Sequence, residues 1–153
     1  METKYDVYFS CAMTNQPQEI RNQNLAFSRS LRKVCKNVGL KLFCPEEKER
    51  LGGFSEGQIY SAEKEIIKGC RLMVLFLNRP SCGAGGEAVI CDYESIPIIL
   101  ISRDLLAVSK FVLENPQIKE MVTFTSIEQV MDELREKIPA LIRPPLATFT
   151  VVL

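Results

Sequence analysis

The segment from Pro80 to Glu87 contains the residues of this sequence that are best suited to bind and react with a ligand. It reads Pro-Ser-Cys-Gly-Ala-Gly-Gly-Glu. Glycines let a backbone approach a ligand closely, and a helix that begins just after them presents free N–H groups. The Ser81 hydroxyl can bind a phosphate there. Glu87 is expected in the first helical turn, where the helix dipole favours an ionised carboxylate. Such a carboxylate can stabilise or trap positive charge at a sugar anomeric carbon, although a first-turn Glu can equally serve only to stabilise its helix.

The absence of histidine restricts the chemistry further. With no histidine in the chain, Ser–His and Cys–His nucleophile pairs and histidine metal sites are excluded. Acid–base chemistry must then come from carboxylates, Lys, Tyr or Cys. Glu63 and Glu65 are a second source of carboxylates, but they fall toward the C-terminal half of a predicted helix, which also fits solvent-exposed acids. The glycine-rich segment lacks both the Lys of a P-loop and the G-x-G-x-x-G pattern of dinucleotide folds.

Composition and charge narrow the class of protein. The 153 residues are 46% hydrophobic, which fits one domain with its own core. Nineteen basic residues balance 19 acidic ones, so we expect no nucleic-acid partner. The longest apolar runs hold six residues, whereas a membrane span needs about 18–20, so no membrane association is expected.

The six cysteines are expected to be reduced thiols. No pair has the C-x-x-C spacing of zinc or redox sites. Four lie beside or within apolar segments, and Cys82 in the glycine-rich segment is expected to be exposed. Because the N-terminus has no apolar signal segment, we expect a cytoplasmic protein.

Predicted strands alternate with predicted helices along the whole chain. The strands are expected at Tyr5–Ser10, Leu40–Cys44, Leu72–Leu77, Ile96–Ile101 and Met121–Phe124. The helices are expected at Ile20–Val38, Ser55–Gly69, Glu87–Tyr93, Asp104–Glu114 and Ser126–Lys137, the last with a Ser126–Gln129 capping box. Segments 46–56 and 78–86 are expected to be loops, and residues 139–153 an irregular tail with an apolar end, Phe149–Leu153.

This alternation predicts an α/β protein, a three-layer α/β/α sandwich with a Rossmann-like (flavodoxin-like) parallel sheet of about five strands. In such sheets a ligand binds beyond the carboxyl ends of the strands, where the strand order reverses. The segments expected at that edge are 10–15, the loop after the second strand, and 78–87.

Five segments stand in one order along the chain: Val7-Tyr8-Phe9-Ser10, Glu63-Lys64-Glu65-Ile66-Ile67, Leu72–Leu77, Ser81 to Ala88 with Gly85-Gly86-Glu87, and Pro97-Ile98-Ile99. With these segments in this order, the sequence resembles the nucleoside 2-deoxyribosyltransferase superfamily, and within it the 2'-deoxynucleoside 5'-phosphate N-hydrolases. The resemblance covers about Tyr5 to Lys137.

The resemblance implies cleavage of an N-glycosidic bond in a nucleotide, without a metal or organic cofactor and in a homodimer or larger assembly. It implies that Glu87 is the nucleophile and that Glu63, where the family usually has Asp, assists the departing base, with Glu65 two residues on as the alternative acid. It also implies that Ser81 contacts the phosphate and that Ser109 reaches a dimer-related site. The further substrate-binding residues expected are Tyr8, Ser10, Met13, Gly83 and Gly85. Of these, Tyr8 and Met13 can form walls of the base pocket, although Tyr8 can equally pack in the core. The Arg that the hydrolases carry after the first strand is absent unless Arg21 replaces it.

Other functions stay open at this point. Base exchange between deoxynucleosides would use the same site. A non-catalytic nucleotide-binding module fits the missing Arg and the substituted acid. Cleavage of NAD also breaks an N-glycosidic bond, but the chain shows no appended sensor domain.

Overall fold

The computed structural model describes residues 5–50, 52, 53, 55 and 57–142. Its centre is a parallel sheet with the strand order β2-β1-β3-β4-β5. The strands are β1 Val7–Cys11, β2 Leu42–Phe43, β3 Leu72–Phe76, β4 Ile98–Ser102 and β5 Ile118–Thr123. The helices are α1 Gln18–Asn37, α2 Pro45–Arg50, α3 Ile59–Gly69, α4 Cys82–Tyr93, α5 Lys110–Leu113 and α6 Ile127–Ile142, with a 3₁₀ turn at Leu105–Ala107.

Helices cover both faces of the sheet, which confirms the three-layer α/β prediction. On one face, α1 and α6 pack over a cluster of stacked or tilted aromatic rings: Phe9, Phe27, Phe76 and Phe124. On the other face, α3 and α4 pack over Tyr8, Phe43, Met73 and Leu75. Every residue of β3 and β4 is buried, as expected of apolar runs covered on both sides. Among the helices of the described part of the chain, none is both long and apolar enough to cross a bilayer.

The strand order reverses between β1 and β3. From β1 the chain moves outward to β2, then returns to the other side of β1 for β3 and continues to β5. The loops after β1 and β3 therefore leave the sheet side by side, which opens a crevice at the carboxyl edge.

Several predicted boundaries were wrong. Residues 45–50 form α2 instead of a mobile loop, because buried Glu47 pairs with Arg32 of α1 at 2.7 Å and fixes the segment against the core. The predicted helix over 104–114 is two short pieces, since the Asp104 side chain accepts the Leu106 N–H and closes a separate 3₁₀ turn.

The last helix continues past its predicted end at Lys137 to Ile142, through Pro139. Buried Ile138 and half-buried Leu141 pack against the core, and this packing outweighs the hydrogen bond that Pro139 cannot donate. Ser126 accepts the Gln129 N–H at 3.1 Å, one half of the predicted capping box. Pro144, Pro145 and the predicted apolar end at Phe149–Leu153 lie outside the described residues.

Candidate active site

A cleft of about 550 Å³ lies at the carboxyl edge of the sheet, where β1 and β3 separate. Residues from β1 and the segment after it, from α2, from α3 and from the start of α4 line it. The cleft brings together seven of the nine residues implied by the resemblance: Tyr8, Ser10, Met13, Glu63, Ser81, Gly83 and Glu87.

Glu87 is held in the cleft through both carboxylate oxygens. The Tyr8 hydroxyl donates to its Oε1 at 2.8 Å, and the Ser10 hydroxyl donates to its Oε2. Tyr8 and Ser10 are two residues apart on β1, so the pleat of the strand points both side chains toward the helix that carries Glu87. The sheet and α4 thus fix one carboxylate from two directions.

Glu87 lies in the second turn of its helix instead of the first. The expected loop over 78–86 ends at Ser81, whose hydroxyl oxygen accepts the Ala84 N–H at 3.2 Å as the N-cap, and α4 begins at Cys82. Gly83, Gly85 and Gly86 are therefore helical. The prediction that the helix dipole keeps Glu87 ionised rests on the wrong helix start.

The pKa of Glu87 is raised, whereas an effect of the helix dipole would have lowered it. Burial raises the pKa of Glu87 to about 7, and the neighbouring Glu63 carboxylate adds to the rise. The hydrogen bond from Ser10, the one from Tyr8 and the charge of Lys48 lower the pKa, but by less. Glu87 therefore changes its charge near neutral pH. Burial and the Glu87 charge raise the pKa of Tyr8 far above its ordinary value, so its hydroxyl stays a donor.

The structure distinguishes between the two acids of α3. Glu63 lines the cleft, its side chain is 14% exposed, and it forms an ion pair with Lys48 of α2. Glu65 is 72% exposed and pairs with Lys68 at 3.4 Å on the surface. The expectation that both acids lie in the C-terminal half of their helix was wrong for Glu63, because α3 begins at Ile59, four residues later than predicted.

Lys48 is a cleft residue that the sequence analysis missed. Its segment was taken for a loop, whereas Pro45, a favourable first residue of a helix, was the available signal for α2. Of the described residues that line the cleft, Lys48 alone is a cation. Arg21 is exposed on α1 and is not among them, so it does not replace the absent Arg.

Two residues of the implied set lie elsewhere. Ser109 is the exposed N-cap of α5 and lines a neighbouring cavity of about 560 Å³, which shares Ser81 and Cys82 with the cleft. Gly85 lies in α4 and lines neither cavity.

A buried amide network that the sequence analysis also missed fixes the two loops beside the cleft. Asn24 of α1 donates to the Ala12 carbonyl at 2.7 Å, and Asn78 after β3 donates to the Asn24 side-chain oxygen at 2.9 Å. A polar residue within the apolar stripe of the first predicted helix was the signal for it. In the described part of the chain, no group of three or more Cys, Asp or Glu residues could hold a metal ion.

The fold is similar to those of three solved structures. A conserved protein from Enterococcus faecalis V583 superposes with a TM-score of 0.65 and 15% identity, over 87% of this chain and 98% of that one. The CMP N-glycosidase of Clostridium botulinum superposes with a TM-score of 0.65 and 14% identity, over 84% of this chain and 96% of that one. A 2-deoxyribosyltransferase from Bacillus psychrosaccharolyticus superposes with a TM-score of 0.59 and 16% identity, over 83% of this chain and 90% of that one.

No family model and no curated protein matches the sequence. At 14–16% identity the structural likeness shows the fold. This chain has the Rossmann-like fold of a group of proteins that includes an N-glycosidase and a deoxyribosyltransferase, which confirms the fold predicted from the alternation of strands and helices.

Proposed function

We propose that this protein is a hydrolase that cleaves the N-glycosidic bond of a nucleoside 5'-monophosphate or its 2'-deoxy counterpart, releasing free base and sugar phosphate. The observation that carries the proposal is the Glu87 carboxylate, which lines the cleft and is held by hydroxyl donors on both oxygens. The similarity in fold to a CMP N-glycosidase and a 2-deoxyribosyltransferase supports it.

Glu87 acts as the nucleophile in this proposal. As the bond between C1' and the base nitrogen breaks, positive charge develops on the sugar, and an anion fixed on one face stabilises it. A Glu87 oxygen bonds to C1' as the bond between C1' and the base nitrogen breaks, and the bonding pair leaves with the base, which takes up a proton from solvent. Water then attacks C1', gives up a proton to the Glu63 carboxylate and breaks the bond between C1' and Glu87. This step releases the sugar phosphate and the free carboxylate of Glu87. Tyr8 and Ser10 orient Glu87 so that one lone pair faces the sugar.

Glu63 is proposed to act on the base side of the cleft. It lies on α3 and lines the cleft, and its charge acts on Glu87. There its carboxylate can accept a hydrogen bond from an N–H of the base as the base departs, and it can then take the proton that the attacking water loses.

The start of α4 is the proposed phosphate site. The Ser81 oxygen already accepts the Ala84 N–H, but its own hydroxyl proton remains available to a phosphate. Gly83 lines the cleft beside it, and the helix N-terminus favours an anion. Met13 and Tyr8 are the proposed walls of the base pocket.

The test is release of base from a panel of ribo- and deoxyribonucleoside 5'-monophosphates, followed by chromatography of base and sugar phosphate together. We expect equimolar products with at least one nucleotide, and a loss of more than about a hundredfold in Glu87→Gln. Glu65→Gln is the matched control, because it removes an exposed carboxylate of α3 outside the cleft, and it should keep full activity. No base release from any nucleotide refutes the proposal.

The structural likeness to a 2-deoxyribosyltransferase supports base exchange as a second candidate function. A second free base added to the same assay should then give a new nucleotide or nucleoside. A non-catalytic binding module would instead show thermal stabilisation by nucleotides without turnover.

We also propose a homodimer in the cytoplasm. Tyr93, Leu106 and Phe111 are large apolar side chains with 85%, 96% and 72% exposure on α4, the 3₁₀ turn and α5, which suits a surface covered by a second copy. All six cysteines are free, as thiols remain in a reducing compartment. Light scattering on the purified protein tests the dimer, and a monomeric mass at high concentration refutes it.

A further inference from the structure

The cleft contains two carboxylates and, among its described residues, one cation. Glu87 of α4 and Glu63 of α3 both line it, and the charge of Glu63 raises the pKa of Glu87. Lys48 of α2 forms an ion pair with Glu63. The Lys48 side chain is 36% exposed and that of Glu63 is 14% exposed, so the acid is the more buried member of the pair.

The other titratable groups that act on Glu87 stay neutral around pH 7. On β1, Tyr8 keeps its proton because burial and Glu87 raise its pKa, and burial raises the pKa of Cys11 to about 12. On α4 itself, burial raises the pKa of Cys91 to about 12. The charged groups that shift the pKa of Glu87 are therefore Glu63 on α3 and Lys48 on α2.

We propose that Lys48 is a positioning residue that holds Glu63 as a carboxylate inside the cleft and offsets the effect of its charge on Glu87. The substrate role of these acids rests on the function proposed above, but the charge coupling does not. The ion pair also joins α2 to α3 beside the cleft, so that it fixes the direction of the Glu63 carboxylate.

Removing the cation has a defined consequence. When Lys48 is removed, the carboxyl groups of Glu63 and Glu87 share one partly buried site with no compensating positive charge. One of the two must then hold a proton over a wider range of pH. An opposite charge at ion-pair distance typically moves a pKa by about 1–3 units. The loss should therefore raise the apparent pKa values of the pair, and their sum by about one unit or more.

The test is a ¹³C NMR titration of glutamate side chains in the full chain, with signals assigned from Glu87→Gln and Glu63→Gln. We compare the wild type, Lys48→Met and Lys48→Arg. The methionine variant should show the rise, and arginine should restore the wild-type titration to within about half a unit, because it keeps the charge. Lys68→Met is the matched control, since Lys68 pairs with exposed Glu65 on the same helix, and it should leave the pair unchanged.

An unchanged titration in folded Lys48→Met, or an equal rise in Lys68→Met, overturns the proposal. Lys48→Gln is titrated as a second neutral variant in case the methionine variant does not fold. If both neutral variants are unfolded while Lys48→Arg is folded and titrates as the wild type does, the cation holds the cleft together as proposed. If Lys48→Arg also unfolds, the role of Lys48 is packing and the proposal fails.

This measurement needs no turnover, so its outcome is separate from that of the proposed function. A rise in the apparent pKa without hydrolysis of any nucleotide would refute the hydrolase and keep the charge coupling. Where hydrolysis occurs, the acidic limb of the pH dependence of kcat/KM in Lys48→Met should move to higher pH in the same direction as the NMR titration, because kcat/KM reports the free enzyme.

Discussion

Replacing Glu87 with glutamine should stabilise the protein at neutral pH even though it removes the proposed nucleophile. Glutamine has nearly the same shape and is always neutral. Its amide oxygen can accept from one of the two hydroxyls, and its NH₂ group can donate to the oxygen of the other. The contacts with Tyr8 and Ser10 can therefore be kept, while the cost of a buried negative charge disappears.

The size of this effect follows from the pKa of Glu87, which burial raises from 4.5 to about 7. Well below pH 4.5 the carboxyl group is protonated in both the folded and the unfolded chain, so it carries no penalty. As the pH rises, the unfolded chain ionises first, and the free energy of unfolding falls until the folded state ionises near pH 7. The difference of about 2.5 pKa units corresponds to ~3 kcal/mol.

The assay is thermal unfolding of the wild type and Glu87→Gln between about pH 4 and pH 8. The two proteins should have similar midpoints near pH 4, and the variant should be more stable by ~3 kcal/mol, or roughly 6–12 °C in Tm, near pH 8. Glu65→Gln is the control, because that acid is exposed, and its difference from the wild type should stay within about 0.5 kcal/mol at every pH. A Glu87→Gln difference that does not change with pH would refute the reasoning, since Glu87 would then titrate as an ordinary exposed acid.

Three further substitutions or reactions test other parts of the site. Tyr8→Phe removes the donor to Glu87 Oε1 and should raise the pKa of Glu87 by about one unit, which a shift of the acidic limb of activity to higher pH would reveal. Asn24→Ala leaves the buried Ala12 carbonyl without its donor and should lower the free energy of unfolding by about 1–3 kcal/mol in urea titrations, whereas an unchanged midpoint would contradict the role of the network. Exposed Cys82, which lines the cleft, should react first with a maleimide, and a bound nucleotide should slow that reaction, as peptide mapping would show.

The sheet could be predicted because its signals are local. The run Leu72 to Leu77 has no polar residue, so it suits a strand covered on both faces, and β3 is buried throughout. Gly39 directly follows the predicted first helix, and its φ of +75° shows why a residue without Cβ suits that position. Patterns of this kind need no information from distant parts of the chain.

The start of α4 could not be placed in this way. Gly83, Gly85 and Gly86 have poor intrinsic helix propensity, and a reading by propensity delays the helix to Glu87. The Ser81 cap and the packing of Ala84 and Ala88 in the core supply the stability that the glycines lack. Because of this packing, Glu87 lies in the second helical turn instead of the predicted first turn. Its pKa is set mainly by burial.

The sequence also could not predict the ion-pair partner of Glu63. Nothing in the spacing of Lys48 and Glu63 along the chain shows that α2 and α3 meet at the cleft. The choice between Glu63 and Glu65 depended on where α3 begins, and helix starts are among the least certain features of a sequence reading.

The two hydroxyls that hold Glu87 lie 77 and 79 positions away from it along the chain. Neither half of the protein, expressed alone, contains both the acid and its donors. A fragment that ends before α4, or one that begins after β1, should therefore have no reactive centre even if its own helices form. Searches for the same arrangement in other genomes would do better to look for a paired Tyr-x-Ser strand and a distant helical Glu than for one contiguous motif.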